Sequence, residues 1–346
     1  MSKVYFESKN ILVLGGAGFV GSHLCEALVA KGDNVVCVDN YISSDVENVR
    51  SLLEYPNFEF VRHDITQDID YGILPELKKF KVDVQGFQEI YNLACPTAPR
   101  DFTKFPIETA EANSIGVIKS LHLAKKYRAK YLFTSSSAVY GEPPKNSEKI
   151  NEDYYGLLDY LDPRACYNEG KRFAETLVTT FRDVHKIDTR IARLFGTYGP
   201  RMLMNSGRQI PDLIKAAVDS QELAVAGDDK TKISLCYVKD VVEGLLALMK
   251  SDFNQPINLG SEQMRTLKEV AERILNITKT NSHISFSQGY KHSMQPAIPD
   301  ISLAKDELNW FPLVSLEEGL REAIEYYKAT AFLRRPTVGY DTASHE

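Results

Sequence analysis

The sequence predicts an α/β protein built on a doubly wound parallel sheet, with a smaller mixed α/β region interleaved with it. Three observations carry that expectation. A short apolar strand over residues 10–14 runs straight into Gly15-Gly16-Ala17-Gly18-Phe19-Val20-Gly21 and then into a helical pattern through Leu24, Ala27, Leu28 and Lys31. Further apolar strands recur between helical stretches, at 34–38, 58–62, 89–94 and 130–134, with one long helical stretch over 107–126 between the last two. After Pro200 the pattern turns mixed: helices over 209–217, 240–249, 267–277 and 316–327, the last opened by Ser315 and Glu318 as a capping box, and a short strand over 236–238. The expected division is therefore a dinucleotide-binding unit over 1–195 with a return segment near 237–262, a substrate-binding region over 196–330, and a mobile polar tail over 331–346.

The first strand, turn and helix make a phosphate site by backbone alone. Gly15 permits the tight turn, Gly18 lets the chain approach a pyrophosphate, and Gly21 lets the helix pack on the strand. Phe19 and Val20 open that helix, whose free N–H groups and partial positive charge face the phosphates. The second strand ends in Asp39-Asn40, about 20 residues on, where an acid binds a ribose 2′-hydroxyl and disfavours a 2′-phosphate. The dinucleotide expected is NAD. At the ends of the next two strands, Asp64 and Ile65 meet the adenine, and Leu93, Ala94 and Cys95 the nicotinamide side, where small residues let a cofactor come close.

The strand over 130–134 ends in Thr134 and continues as Ser135-Ser136-Ser137-Ala138-Val139-Tyr140-Gly141, three hydroxyls able to hold a substrate oxygen and relay a proton. Downstream, in Cys166-Tyr167-Asn168-Glu169-Gly170-Lys171-Arg172, Tyr167 and Lys171 stand four apart on one helical face. An ammonium beside a phenol favours phenolate, so the spacing predicts that the tyrosine falls from its usual pKa of roughly 10 toward working pH, as a base for an alcohol proton. The same lysine can hold a cofactor ribose.

Composition narrows the class. Of 346 residues, 43% are hydrophobic and 25% charged, which suits an ordinary soluble protein, and a net charge of −6 without a basic block argues against nucleic acid. The 5 cysteines are widely spaced with no Cys-x-x-Cys pair, so neither a disulfide framework nor a metal site is indicated. No apolar run approaches the roughly 20 residues of a membrane span, and no leader pattern is read, so a cytoplasmic protein is expected.

Gly15 to Gly21, Asp39, Ser135 to Gly141 and Tyr167-x-x-x-Lys171 together resemble the extended short-chain dehydrogenase/reductases that modify nucleotide sugars, the NAD-dependent epimerase/dehydratase family. The resemblance spans about residues 10–328 and is nearest to the UDP-glucuronate decarboxylase branch, on Tyr91-Asn92-Leu93-Ala94-Cys95-Pro96, Arg190-Ile191-Ala192-Arg193 and Thr197-Tyr198-Gly199-Pro200-Arg201-Met202. It implies a Rossmann-like fold, Ser136, Tyr167 and Lys171 as catalytic residues, a nucleotide-sugar substrate touching Pro96, Ser136 and Ser137, and a homodimer paired through the helices over 107–126 and 167–184.

The chain also departs from that branch. Ala138 and Ile233 stand where the decarboxylases carry a glutamate and an arginine. Gly196, Ile233 and Ala297 stand where the family holds a diphosphate with an asparagine and two arginines. Arg201, Arg208, Lys230, Lys232 and Lys291 are the candidates to take over. Because a methyl and a sec-butyl group can neither move a proton nor hold a carboxylate, the sequence ranks oxidation of the sugar C4 hydroxyl, by a 4-dehydrogenase or 4-epimerase, above UDP-glucuronate decarboxylation. NAD(H) binding without turnover comes third.

Overall fold

The structure is a computed structural model that describes residues 8–142, 149–204, 206–287 and 298–331. The expectations for Lys291, Ala297 and the tail beyond residue 331 lie outside the described residues.

Six strands in chain order, β1 (Asn10–Leu14), β2 (Asn34–Asp39), β3 (Phe58–Arg62), β4 (Glu89–Asn92), β5 (Lys130–Ser136) and β6 (Thr189–Leu194), form one sheet with a seventh, Pro256–Leu259. Across the sheet the order is Pro256–Leu259, β6, β5, β4, β1, β2, β3, and every neighbouring pair is parallel. The order reverses at β1, which pairs with β2 on one side and β4 on the other, so a crevice opens beyond the carboxyl ends of β1 and β4.

Both faces of the sheet are covered, which is why its strands read as unbroken apolar runs. On one face Ile11, Val13, Val35 and Cys37 pack with Leu24 and Leu28 of the helix Phe19–Ala30 and with Val241 and Leu245 of the helix Val238–Lys250. On the other, Leu12, Leu14, Val36 and Ile90 pack with Val117 and Leu121 and with Ala174 and Val178 of the helix Ala165–His185. The alternation of odd and even positions is the two-residue period of a pleated strand. Each Val, Leu or Ile among them, fully buried, contributes about 1.5–3 kcal/mol.

The stretch over 107–126 departs from the single helix expected. Helices Pro106–Glu111 and Val117–Tyr127 are separated by a wider π-helical turn at Ala112–Gly116. The cause is tertiary: a Cβ on Gly116 would lie 2.4 Å from the Cδ1 atom of Ile65, so the backbone passes close over the end of β3.

A third core lies beyond the sheet. Tyr198, Leu213, Ile214, Val270, Ile274, Leu320 and Ile324 pack together, joining helices Gln209–Val218, Leu267–Thr278 and Leu316–Ala331. Short strands edge it: Leu223–Ala226 parallel to Ile284–Ser287, and Lys232–Ser234 antiparallel to Met264–Thr266. Among the described residues no helix is long and apolar enough to cross a membrane.

Candidate active site

At the end of β1 the backbone turns at Gly15, with φ +76°, and its N–H donates to the Val38 carbonyl at 2.8 Å. A Cβ on Gly15 would stand 2.7 Å from the Ala94 backbone, and one on Gly21 2.2 Å from the Gly15 carbonyl oxygen, so neither position admits a side chain. The helix then starts at Phe19 with Gly18 ahead of it and no side chain capping it, leaving first-turn N–H groups for a cavity that Gly18, Phe19, Val20 and Gly21 line.

Asp39 closes the end of β2. Its carboxylate accepts from the Ala17 N–H at 3.0 Å, the Tyr41 N–H at 2.9 Å and the Ser44 hydroxyl at 2.7 Å. Burial pushes its pKa up against those bonds and the Asn40 N–H. Asn40 donates to Asp64 at 2.9 Å, and both line a cavity of about 80 Å³ together with Ile65, Leu93, Ala94, Cys95 and Pro96.

A larger cavity of about 380 Å³ adjoins it, sharing Gly15, Gly18, Leu93 and Cys95. Thr134, Ser136, Ser137, Tyr167, Lys171, Arg201 and Arg208 all line it. The helix Ala165–His185 sets Tyr167 and Lys171 one turn apart. Lys171 Nζ donates to the Thr134 carbonyl at 2.9 Å, lies 4.6 Å from the Phe133 ring centre and 6.0 Å from that of Tyr167. Ser136, beside Tyr167, opposes the rise of the phenol's pKa, and the Tyr167 ring stacks on Phe102 at 5.3 Å and 18°.

One expectation is corrected. The spacing pointed to a phenolate drawn out by Lys171, but burial pushes Tyr167 up to about 12, and the Cys95 thiol beside it works in the same direction. Burial also pushes Lys171 down. Two groups placed together away from water disfavour both charges, and the lysine is engaged by a carbonyl rather than by the phenol.

The candidates offered for a diphosphate divide. Arg201 pairs with Glu26 at 2.8 Å while its Nη1 is buried without a partner. Arg208 donates to the Thr97 carbonyl at 2.8 Å and hydroxyl at 3.0 Å. Lys230 and Lys232 are exposed and do not line the cavity, which corrects their candidacy. Gly196 does line it, but a Cβ there would be 2.3 Å from the Ser234 carbonyl oxygen, so the local backbone leaves no room for a longer side chain. Ile233 packs against the third core, opposite Arg265.

Among the lining residues that sequence reasoning passed over are Asp101, Phe102, Arg164 and Ser206. Pro99, at the first turn of the helix Pro99–Lys104, was the available signal for the first two. Ser135 Oγ, Ser206 Oγ and Arg201 Nη1 line the cavity as buried polar atoms without a partner, which a polar ligand can satisfy.

A glycine turn at the switch point of a parallel sheet, with serine, tyrosine and lysine at the neighbouring strand end, defines an extended short-chain dehydrogenase/reductase. The chain belongs to the GDP-mannose 4,6 dehydratase family, whose sequence model matches residues 12–323. It is 39% identical over 319 residues to UDP-glucuronic acid decarboxylase 1 of Arabidopsis thaliana, covering 92% of this chain and 70% of that one. A UDP-glucose 4-epimerase of Thermotoga maritima, solved with UDP-glucose, superposes with a TM-score of 0.81 at 27% identity, over 93% of this chain and 99% of that one. A UDP-glucuronic acid 4-epimerase of Bacillus cereus, solved with UDP-glucuronic acid and NAD, gives 0.77 at 27% identity, over 92% and 99%.

Proposed function

We propose that this chain uses NAD to oxidise C4 of UDP-glucuronate and that the resulting 4-keto acid loses CO₂. The observation that carries the reading is the 39% identity to a UDP-glucuronic acid decarboxylase along 92% of the chain. It reverses the ranking drawn from Ala138 and Ile233 alone. The chemistry permits the reversal, because a 4-keto hexuronate is a β-keto acid whose carboxylate leaves readily once C4 is oxidised.

The glycine cradle, which a Cβ at Gly15 or Gly21 would fill, fits a dinucleotide. Gly15, Gly18, Phe19, Val20 and Gly21 are assigned to its pyrophosphate, Asp39 and Asn40 to the adenosine ribose, and Asp64 and Ile65 to adenine. Leu93, Ala94, Cys95 and Thr134 are assigned to the nicotinamide side. NAD, when bound, supplies a hydride acceptor for C4. Ser136 steadies the C4 oxygen, Tyr167 takes its proton, and Lys171 stabilises the charge that develops on the phenol. Pro96, Ser137, Arg201 and Arg208 are assigned to the substrate.

The test is incubation of the protein with UDP-glucuronate and NAD. A mass loss of CO₂ in the sugar nucleotide is expected, and a product differing only at C4 would overturn decarboxylation. That second outcome is the 4-epimerase reading, which Ala138 and Ile233 favour and which requires only that the ketone turn over before it is reduced.

A further inference from the structure

Loss of CO₂ from a 4-keto hexuronate leaves an electron pair that a proton must close at C5. Ala138, buried against Phe102 and Tyr167 in one packed cluster, has no proton to give. Two carboxyl groups line the larger cavity. Asp45 lies with Ser43, Ser44 and Asn48, beside the residues assigned to the adenosine ribose, and its side chain holds the Glu47 N–H at 3.0 Å. Asp101 lies at the other end, in the helix Pro99–Lys104, only 4% exposed.

The next residue along that helix is Phe102, which stacks on Tyr167 and touches Ala138, so Asp101 is anchored to the wall that carries the reacting groups. Arg208 lines the same cavity as Asp101 and Tyr167, and its charge opposes the upward push that burial exerts on both. The ion pair of Asp101 with Arg100 is long, 3.5 Å, and the arginine side of it is half exposed. Burial pushes the Asp101 carboxyl up, while Arg100, Arg208 and Lys104 oppose it.

We propose that Asp101 is a catalytic acid of this enzyme, the group that protonates C5 after CO₂ has left; the assignment rests on the decarboxylase reading above. The C5–C6 bond breaks and CO₂ departs. The electron pair forms the C4–C5 double bond of an enolate whose charge sits on the C4 oxygen. That pair then takes the Asp101 proton at C5, restoring the ketone, and the carboxylate regains a proton from water. One proton is consumed for each CO₂ released.

Asp101→Asn and Asp101→Glu, compared with wild type in D₂O with UDP-glucuronate and NAD, test the proposal. The asparagine variant is expected to bind NAD and UDP-glucuronate as wild type does and to form NADH within about twofold of its rate, since C4 oxidation does not need Asp101. Its formation of pentose product carrying deuterium at C5 falls on the order of 100-fold, the usual worth of a general acid. In wild type that rate falls as pH rises through the carboxyl's pKa, and the asparagine variant loses this limb while glutamate restores it. Deuterated product at the wild-type rate in the asparagine variant would overturn the proposal, and so would an equal loss of NADH formation, which is what a merely structural role predicts. Failure of the decarboxylase reading is seen separately, as NADH without CO₂ in wild type. In that case exchange of the C5 hydrogen with solvent, lost on going to asparagine, still assigns Asp101 its proton, and exchange unchanged removes it.

Discussion

The two ends of the crevice are built from different material. The end proposed for the cofactor is backbone: a turn at Gly15, open first-turn N–H groups after Gly18, and a glycine at 21 whose Cβ would sit 2.2 Å from a carbonyl oxygen. The end proposed for the substrate is side chains delivered from far apart: Asp101 and Phe102 from the helix Pro99–Lys104, Tyr167 from the helix Ala165–His185, and Arg201 and Arg208 from the region after β6. A backbone site depends on a few positions that admit no substitution. A side-chain site can be re-equipped one residue at a time.

The comparison breaks most visibly where the two ends meet. Tyr167→Phe keeps the ring that stacks on Phe102 at 5.3 Å and removes only the hydroxyl. NADH formation from UDP-glucuronate should fall by roughly 10²–10⁴, the range for a lost general base, while NAD binding and thermal stability stay near wild type. Because burial pushes this phenol up to about 12 in the free protein, wild-type oxidation should also rise with pH as the proton becomes easier to lose. Stopped-flow absorbance of NADH across pH reads both, and a Phe variant that still forms NADH at a comparable rate would remove Tyr167 from the chemistry.

A smaller effect belongs to the cofactor end alone. Gly21→Ala puts a methyl against backbone that cannot step aside, so the turn must shift. NAD affinity is expected to fall by at least tenfold, with a loss of stability of about 1–3 kcal/mol, the usual cost of overpacking. Calorimetric titration with NAD checks the first and thermal unfolding the second; unchanged affinity would mean that the dinucleotide does not rest on this turn.

The same division explains what was legible in the sequence. Strands β1 and β3 were bounded correctly as apolar runs, and the helix carrying Tyr167 and Lys171 followed from its own periodicity, because in each case the signal is local. The interruption at Ala112–Gly116 was not legible, since it answers to Ile65 across the fold. Nor was the pairing of Leu223–Ala226 with Ile284–Ser287, which no local pattern announces. The complete capping box proved to be Thr266 with Glu269, whereas at Ser315 the described bond is the Glu318 N–H donating to its hydroxyl at 3.2 Å. The spacing of Tyr167 and Lys171 told which charges are neighbours, but not that both are buried, and burial is the larger influence on each.

The smallest effect lies on the seam between the two ends. His23, on the helix that follows the glycine turn, donates from Nε2 to the Pro200 carbonyl at 3.1 Å, next to the Glu26–Arg201 pair. Burial, and after it the Arg201 charge, pushes the imidazole down to about 4, with Glu26 and the Pro200 carbonyl opposing. The sign of the pH dependence follows. Between pH 6.5 and about 4 the unfolded chain holds a proton on His23 that the folded chain does not, so stability falls as pH is lowered through that window. By about pH 5.5 the loss amounts to roughly 1–2 kcal/mol. Many carboxyl groups titrate over the same range, so the measurement is a difference. His23→Gln keeps a donor in reach of Pro200 but cannot titrate, and the wild-type advantage over it in urea unfolding should shrink by roughly that amount between pH 7.5 and 5.5. Parallel curves for the two proteins would show that His23 titrates alike in both states, and the seam would then hold by the Glu26–Arg201 pair and packing alone.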